Sequence, residues 1–166
     1  MNTVTVSEND IIVYTDPRWY GSFYSTQDQT NAGATSVNKM TLNTTDLSNG
    51  VSVVSNSRIT IANAGVYNIQ FSAQLDKTDS GDDKVEIWLC KNGNPIANTN
   101  TETTLVGNNG KHVAAWNWFV QAAAGDYFEI CWNAADTSVF LNSVVAASNP
   151  TRPAIPSVIV TVNQIA

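Results

Sequence analysis

The chain is poor in the residues that carry most protein chemistry. It has one histidine, His112, and two cysteines, Cys90 and Cys131, in 166 residues. That leaves little for a zinc site or a histidine general base, and two cysteines without metal-ligand spacing exclude a disulfide framework. Charged residues make up 13% of the chain against a usual ~25%. The net charge of -6 gives no basic footprint for a phosphate backbone, so nucleic acid is not an expected partner. No apolar run reaches the ~18 to 20 residues of a membrane-spanning helix, and the segment Met1 to Asp10 lacks the basic region and apolar core of a signal peptide. The expectation is a protein made in the cytoplasm and not inserted in a membrane. A Gly-x-Ser-x-Gly elbow and a phosphate-binding loop are also missing, and no cofactor is expected.

What is present is enough apolar material for one core, 43% of residues, within a surface made largely of Asn, Ser and Thr. Period-2 alternation recurs along the chain, broken by Gly, Asn, Pro and Asp clusters, with no sustained helical period. This predicts an all-β domain of about eight to ten strands, over residues 17–166, preceded by an N-terminal arm over 1–16. An aromatic strand is predicted at Trp19 to Tyr24, and short strands joined by turns around Val37, Met40 and Leu42. In Val66 to Leu75 one face carries Tyr67, Ile69, Phe71, Ala73 and Leu75, while the other carries Asn68, Gln70, Ser72 and Gln74. Further strands are expected at Lys84–Cys90, His112–Gln121, Asp126–Trp132, Val139–Val145 and Ser157–Ile165.

Three landmarks then fall in order. Ala64-Gly65-Val66-Tyr67-Asn-Ile-Gln-Phe-Ser72 resembles the "GxYxxxxS" strand of the jelly-roll superfamily shared by tumour necrosis factor and the globular heads of complement and collagen-like proteins. Val85 to Gly93 is similar to that superfamily's next strand with its "L-x-K-N-G" turn, and Trp118 to Ile130 to its strand, Gly-Asp corner and following strand. The closing Pro153-Ala-Ile-Pro156-Ser-Val-Ile-Val-Thr-Val162 is similar to the ending of such domains in virion proteins of tailed bacteriophages, especially marine and cyanobacterial phages, which share the Asn- and Thr-rich style. The resemblance implies a jelly-roll β-sandwich of two antiparallel sheets, assembled as a homotrimer. There is no Gly-x-y repeat or coiled-coil heptad of the kind seen in secreted animal members.

The resemblance also assigns faces. With Gly125-Asp126 at the corner, Trp116, Trp118, Val120 and Ala122 point into the sandwich, and Asn117, Phe119 and Gln121 point away. In the superfamily that outer face meets the three-fold axis. The expected trimer interface is therefore Asn68, Gln70, Ser72, Gln74, Asn117, Phe119 and Gln121, completed by Ile159 and Thr161, or else by Val158, Val160 and Val162. In the second sheet, Val85, Ile87 and Leu89 should face inward with Phe128, Ile130 and Trp132. Glu86, Trp88, Tyr127 and Glu129 then form an expected outer contact surface, for a protein or as a sugar-stacking platform, with Cys90 and Cys131 beside them. Loops covering Trp88 and Tyr127 are the alternative. The two cysteines stand as free thiols or as a pair.

The acidic stretch Asp76 to Asp83 reads either as a solvated loop or as oxygen ligands for calcium, although its spacing does not match an EF-hand. His112 has no neighbouring catalytic motif and reads as a strand-edge residue. The function expected from all this is non-enzymatic: a trimeric decoration or cement protein on the outside of a bacteriophage head. Its partners would be the major capsid protein or other virion proteins, and Val4, Val6, Ile11, Ile12 and Val13 would serve as an attachment arm. The alternative is the receptor-binding tip of a tail fibre, holding host-surface glycans.

Overall fold

The computed structural model describes residues 18–166, so the attachment-arm positions Val4, Val6, Ile11, Ile12 and Val13 lie outside the described residues. Sixteen strands and no helix occur among the described residues. In chain order they are β1 (Tyr20–Ser25), β2 (Gln29–Thr30), β3 (Asn38–Lys39), β4 (Thr44–Asn49), β5 (Val51–Val54), β6 (Arg58–Ile61), β7 (Gly65–Lys77) and β8 (Asp83–Lys91). They continue with β9 (Asn94–Pro95), β10 (Thr101–Leu105), β11 (His112–Ala122), β12 (Tyr127–Ala134), β13 (Val139–Leu141), β14 (Ala147–Ser148), β15 (Thr151–Arg152) and β16 (Val158–Gln164). The surplus over the expected count comes mostly from two-residue pieces: β2, β3 and β9 pair onto longer strands, and β14 and β15 pair with each other.

Fourteen of these strands form two antiparallel sheets of seven, and β14 and β15 make a separate pair. In the first, β7 is central: β11 runs along one edge, and β16 and β13 share the other. β16 passes the order on to β1 and then β4, while β2 extends the sheet beyond β13. The second sheet runs β10-β8-β12-β6-β5, with β3 and β9 paired to β12 and β8. Most neighbouring long strands are thus distant in sequence, as in jelly-roll winding, with β5–β6 and β8–β9 as local hairpins.

Between the sheets lies one core. Phe23, Tyr67, Ile69, Phe71, Val85, Ile87, Leu89, Phe128, Ile130, Trp132, Val158, Val160 and Val162 are all buried there. The inward parity read from β7, β8 and β12 therefore holds, and β16 turns Val158, Val160 and Val162 inward. Trp116 and Trp118 point to the core side but are half-buried, because β11 is an edge strand. Phe71 fixes both: its ring meets Trp116 edge-on at 4.8 Å and stacks on Trp118 at 5.2 Å.

The corner between β11 and β12 turns at Gly125, whose φ of 89° favours a residue without Cβ. Asp126 closes it by accepting the Ala123 N–H at 2.7 Å and the Asn92 side-chain amide at 2.7 Å. In the stretch 25–50, side-chain amides do work that backbone pairing does elsewhere. Gln29 donates to the Thr41 carbonyl at 3.0 Å and accepts the Thr41 N–H at 2.7 Å. Asn31 donates to the carbonyls of Ala134 and Asp136. These bridges place Met40 and Leu42 in the core and leave Val37 outside.

Candidate functional site

The outward face of the first sheet is built by strict alternation. Every core residue of β7, β11 and β16 is followed by one pointing away, and the registers align these into rows across the sheet. One row reads Phe119, Asn68, Asn163, Tyr20 and Asn49. The next reads Asn117, Gln70, Thr161, Ser22 and Leu47, and the third Ala115, Ser72, Ile159, Tyr24 and Thr44. Gln74 sits opposite Val113 beyond them. The structure thus brings all nine expected face residues together and selects Ile159 and Thr161 over the valine set.

This face is open. Phe119 is 65% exposed, and Val113, Leu47, Tyr20 and Ile159 are exposed with it. Asn117 donates to Asn68 at 2.8 Å, Asn68 to Asn163 at 3.3 Å, and Gln121 to the Gly65 carbonyl at 3.2 Å. The side chains of Gln70, Ser72, Gln74 and Thr161 make no hydrogen bond among the described residues. Gln70, Ser72, Ala115, Ile159 and Thr161 line a shallow depression in the middle of the face. Tyr20, Leu47 and Asn163 were not expected there. The alternation in β1 and β16 carries the signal for Tyr20 and Asn163, whereas Leu47 lies in a Thr- and Asn-rich stretch that shows none.

The outward face of the second sheet corrects the expectation of an exposed surface. Glu129 is 1% exposed, because β3 and the start of β6 fold alongside β12 and close over it. Lys39 Nζ reaches its carboxylate at 2.7 Å, the Ser57 hydroxyl donates to it at 2.7 Å, and Arg58 Nε lies 3.9 Å away. Burial alone would push the Glu129 pKa up, but the hydrogen bonds from Lys39 and Ser57 and the two cationic charges hold it below the usual value. The Arg58 guanidinium lies 4.7 Å from the Tyr127 ring centroid and partly covers it. Glu129 is therefore a clamp within the fold and not an outer contact. Lys39 and Ser57, its partners, sit in segments whose sequence shows no motif.

Cys90 and Cys131 are buried free thiols on the same face. Burial and the neighbouring Cys90 push the Cys131 thiol strongly up, so it stays protonated and unreactive. Glu86 and Trp88 remain half-open. Trp88 faces a notch formed with Glu86, Pro95, Ile96, Ala97, Asn98 and Asn100.

The acidic stretch has an exposed middle, Thr78 and Ser80 to Asp82, but its ends are anchored in β7 and β8. Asp76, Lys77 and Asp83 are buried. Lys77 Nζ donates to Asp83 at 2.7 Å and to the Gly81 carbonyl, and lies 3.7 Å from Asp79. Asp79, Asp83 and Asp136 have carboxylate oxygens within 4.8 Å of one another, and the Lys77 ammonium supplies the positive charge among them. Asp76 accepts the Asn142 amide at 2.8 Å and pairs with Lys111. His112 is exposed at the start of β11, opposite Leu75, and borders a hollow with Asp76, Lys111 and Asn142.

No protein-family model and no curated protein sequence matches the chain. Solved structures do. The globular domain of zebrafish complement 1qA aligns over 90% of this chain and 97% of its own, with a TM-score of 0.53 at 14% identity. Murine APRIL at pH 8.0 covers 90% of this chain and 100% of its own, with a TM-score of 0.57 at 8% identity, and its pH 5.0 structure gives 0.58 at 7% over the same shares. The fold is thus that of the tumour necrosis factor and complement globular-head jelly rolls.

Proposed function

We propose that this chain is a non-enzymatic structural subunit that works as a homotrimer, joined through the outward face of its first sheet, on the outer surface of a bacteriophage head. The observation that supports the trimer is the open, registered face itself. A ring of three copies is heterologous, so each copy must offer two different, complementary patches. The face has an apolar patch toward each side: Phe119 and Val113 on the edge strand β11, and Tyr20 and Leu47 on β1 and β4, with Ile159 of β16 near the middle. Between them stand the unpaired amides of Gln70 and Gln74, available for hydrogen bonds between copies. The fold shared with the complement and APRIL domains is compatible with this arrangement.

The virion setting rests on the sequence style and on the closing segment Pro153 to Val162. The tail-fibre reading is favoured by one feature, the open notch at Trp88. Native mass spectrometry should give three times the 17.9 kDa chain mass, and a monomer at micromolar concentration would overturn the assembly. Antibody-gold labelling of intact virions should decorate the heads. Gold confined to tails would replace the capsid role with the adhesin role, and unlabelled particles would remove both.

A further inference from the structure

The notch beside β8 has the chemistry of a carbohydrate site. One side of it is the half-buried indole of Trp88, which points outward from the middle of β8. The opposite wall is the segment 95–100, the end of β9 and the turn after it. Around the indole stand three polar side chains, Glu86, Asn98 and Asn100, with Pro95 and Ile96 completing the apolar lining. The hollow measures about 340 Å³, at the small end of the ~300 to 1,000 Å³ of small-molecule sites.

The wall is held in place before any ligand arrives. Thr99 Oγ1 accepts the Leu89 N–H at 3.1 Å and donates to the Ile96 carbonyl at 2.7 Å. The Ile96 N–H donates to the Leu89 carbonyl at 2.9 Å, and Trp118 Nε1 donates to the Thr99 carbonyl at 3.2 Å. Asn98 itself sits in the left-handed region with a φ of 64° and is exposed. Its amide and the Trp88 indole N–H have no partner among the described residues. Asn100 donates to Glu86 at 3.2 Å, which orients the carboxylate and leaves its second oxygen open. A site fixed in this way loses little entropy on binding.

We propose that this notch binds a neutral pyranose, one sugar unit of a glycan. A pyranose ring has an apolar C–H face, which suits a single half-open indole, and a rim of hydroxyls that both donate and accept. Asn98 and Asn100 offer amide groups of both kinds, Glu86 accepts, and the Trp88 N–H donates. The charge around the notch selects against acidic sugars. Glu86 forms no salt bridge among the described residues, and the nearby Lys84, whose charge it shares, pairs with Glu102 at 2.9 Å, so two carboxylates face one ammonium. The site requires neither a trimer nor a particular place on a virion.

The test is native mass spectrometry with saturation-transfer NMR on the full chain. The probes are maltohexaose, cellohexaose, chitohexaose and lacto-N-tetraose, with 3'-sialyllactose as the acidic control. At least one neutral oligosaccharide should bind at millimolar concentration or below, more tightly than the sialylated control. Trp88→Ala should weaken binding by about tenfold or more, the loss expected when an apolar ring contact is removed. Trp88→Phe should retain part of it. Since Trp88 is half-buried, Asn98→Ala and Glu86→Gln provide a second route at positions outside the core, each reducing affinity several-fold. No binding of any neutral probe, preference for the sialylated one, or full binding by both Trp88→Ala and Asn98→Ala overturns the site. Oligomer mass read from the same spectra keeps this outcome separate from the fate of the trimer.

Discussion

The two outward faces of the sandwich start from the same sequence signal and end in opposite states. Both arise from strands that alternate apolar and polar residues, and both carry aromatics among polar groups. On the second sheet the chain covers its own face: β3, β6 and the turn before β6 bring Lys39, Arg58 and Ser57 over Glu129 and Tyr127, leaving the notch at Trp88 open. On the first sheet nothing among the described residues covers the face, and Phe119 stands 65% exposed beside amides that bond to one another, to the Gly65 carbonyl or to nothing. Parity determines which side chains leave the core. Whether they then meet the same chain, a second copy or solvent depends on segments distant in sequence.

The sharpest way to break the contrast is to remove the clamp. Glu129→Ala leaves the Ser57 hydroxyl buried without its acceptor and separates Lys39 and Arg58 from their counter-charge. A fully buried broken pair costs ~3 to 5 kcal/mol, but Lys39 is 43% exposed and returns to water. The expected loss is therefore about 2 to 3 kcal/mol in folding stability, read by urea unfolding, with oligomer mass unchanged. A loss below about 0.5 kcal/mol would mean that the cover contributes little.

Acid tests the second sheet more gently. Lys91, Asn92 and the Ala123 N–H hold the Asp126 carboxyl well below its ordinary 3.8, at about 2. A group whose pKa is lower folded than unfolded stabilises the protein above its unfolded value, and that contribution fades as pH falls from about 4 to about 2. Glu129 is shifted in the same direction and adds to the fall. Lys39, raised above its ordinary 10.5, behaves oppositely: its contribution is complete below that value and is lost as pH rises through the raised one. Stability should therefore hold a plateau between those limits. Asp126→Asn should lower the plateau by about 1 to 2 kcal/mol and flatten the acid limb. An unchanged limb would assign the acid response to other carboxylates.

Legibility in the sequence follows the same division. Long strands with clean alternation, β7, β8, β11 and β12, could be read with their faces, and the ordered landmarks at Gly65, Gly93 and Gly125 pointed to the winding. The stretch 25–50 could not be read, because Gln29 and Asn31 fix it by bonds to residues as far as 128 positions away, such as Ala134 and Ser157. Glu129 was placed on the correct face but in the wrong environment. The period puts it outward, and only the registry of β3 and β6 on β12 makes that position interior. Lys77 was missed for a similar reason: its acidic neighbours in sequence suggested hydration, while the turn through Gly81 wraps them around its ammonium.

The smallest expected effect on folding comes from the open face, and it sharpens the contrast most. Phe119 contributes little to the core of one copy, since its ring is mostly in water, so Phe119→Asp should change the stability of the monomer by less than about 0.5 kcal/mol. In the proposed trimer the same change places three carboxylates in contact regions that exclude water, next to apolar rings of neighbouring copies, where an unpaired charge is strongly disfavoured. The variant should run as a folded monomer in native mass spectrometry, with strand content by circular dichroism equal to that of the unaltered chain. A trimer that survives would move the seam away from β11. A variant that unfolds would show that Phe119 supports the sandwich itself, and the two faces would then differ less than their exposure implies.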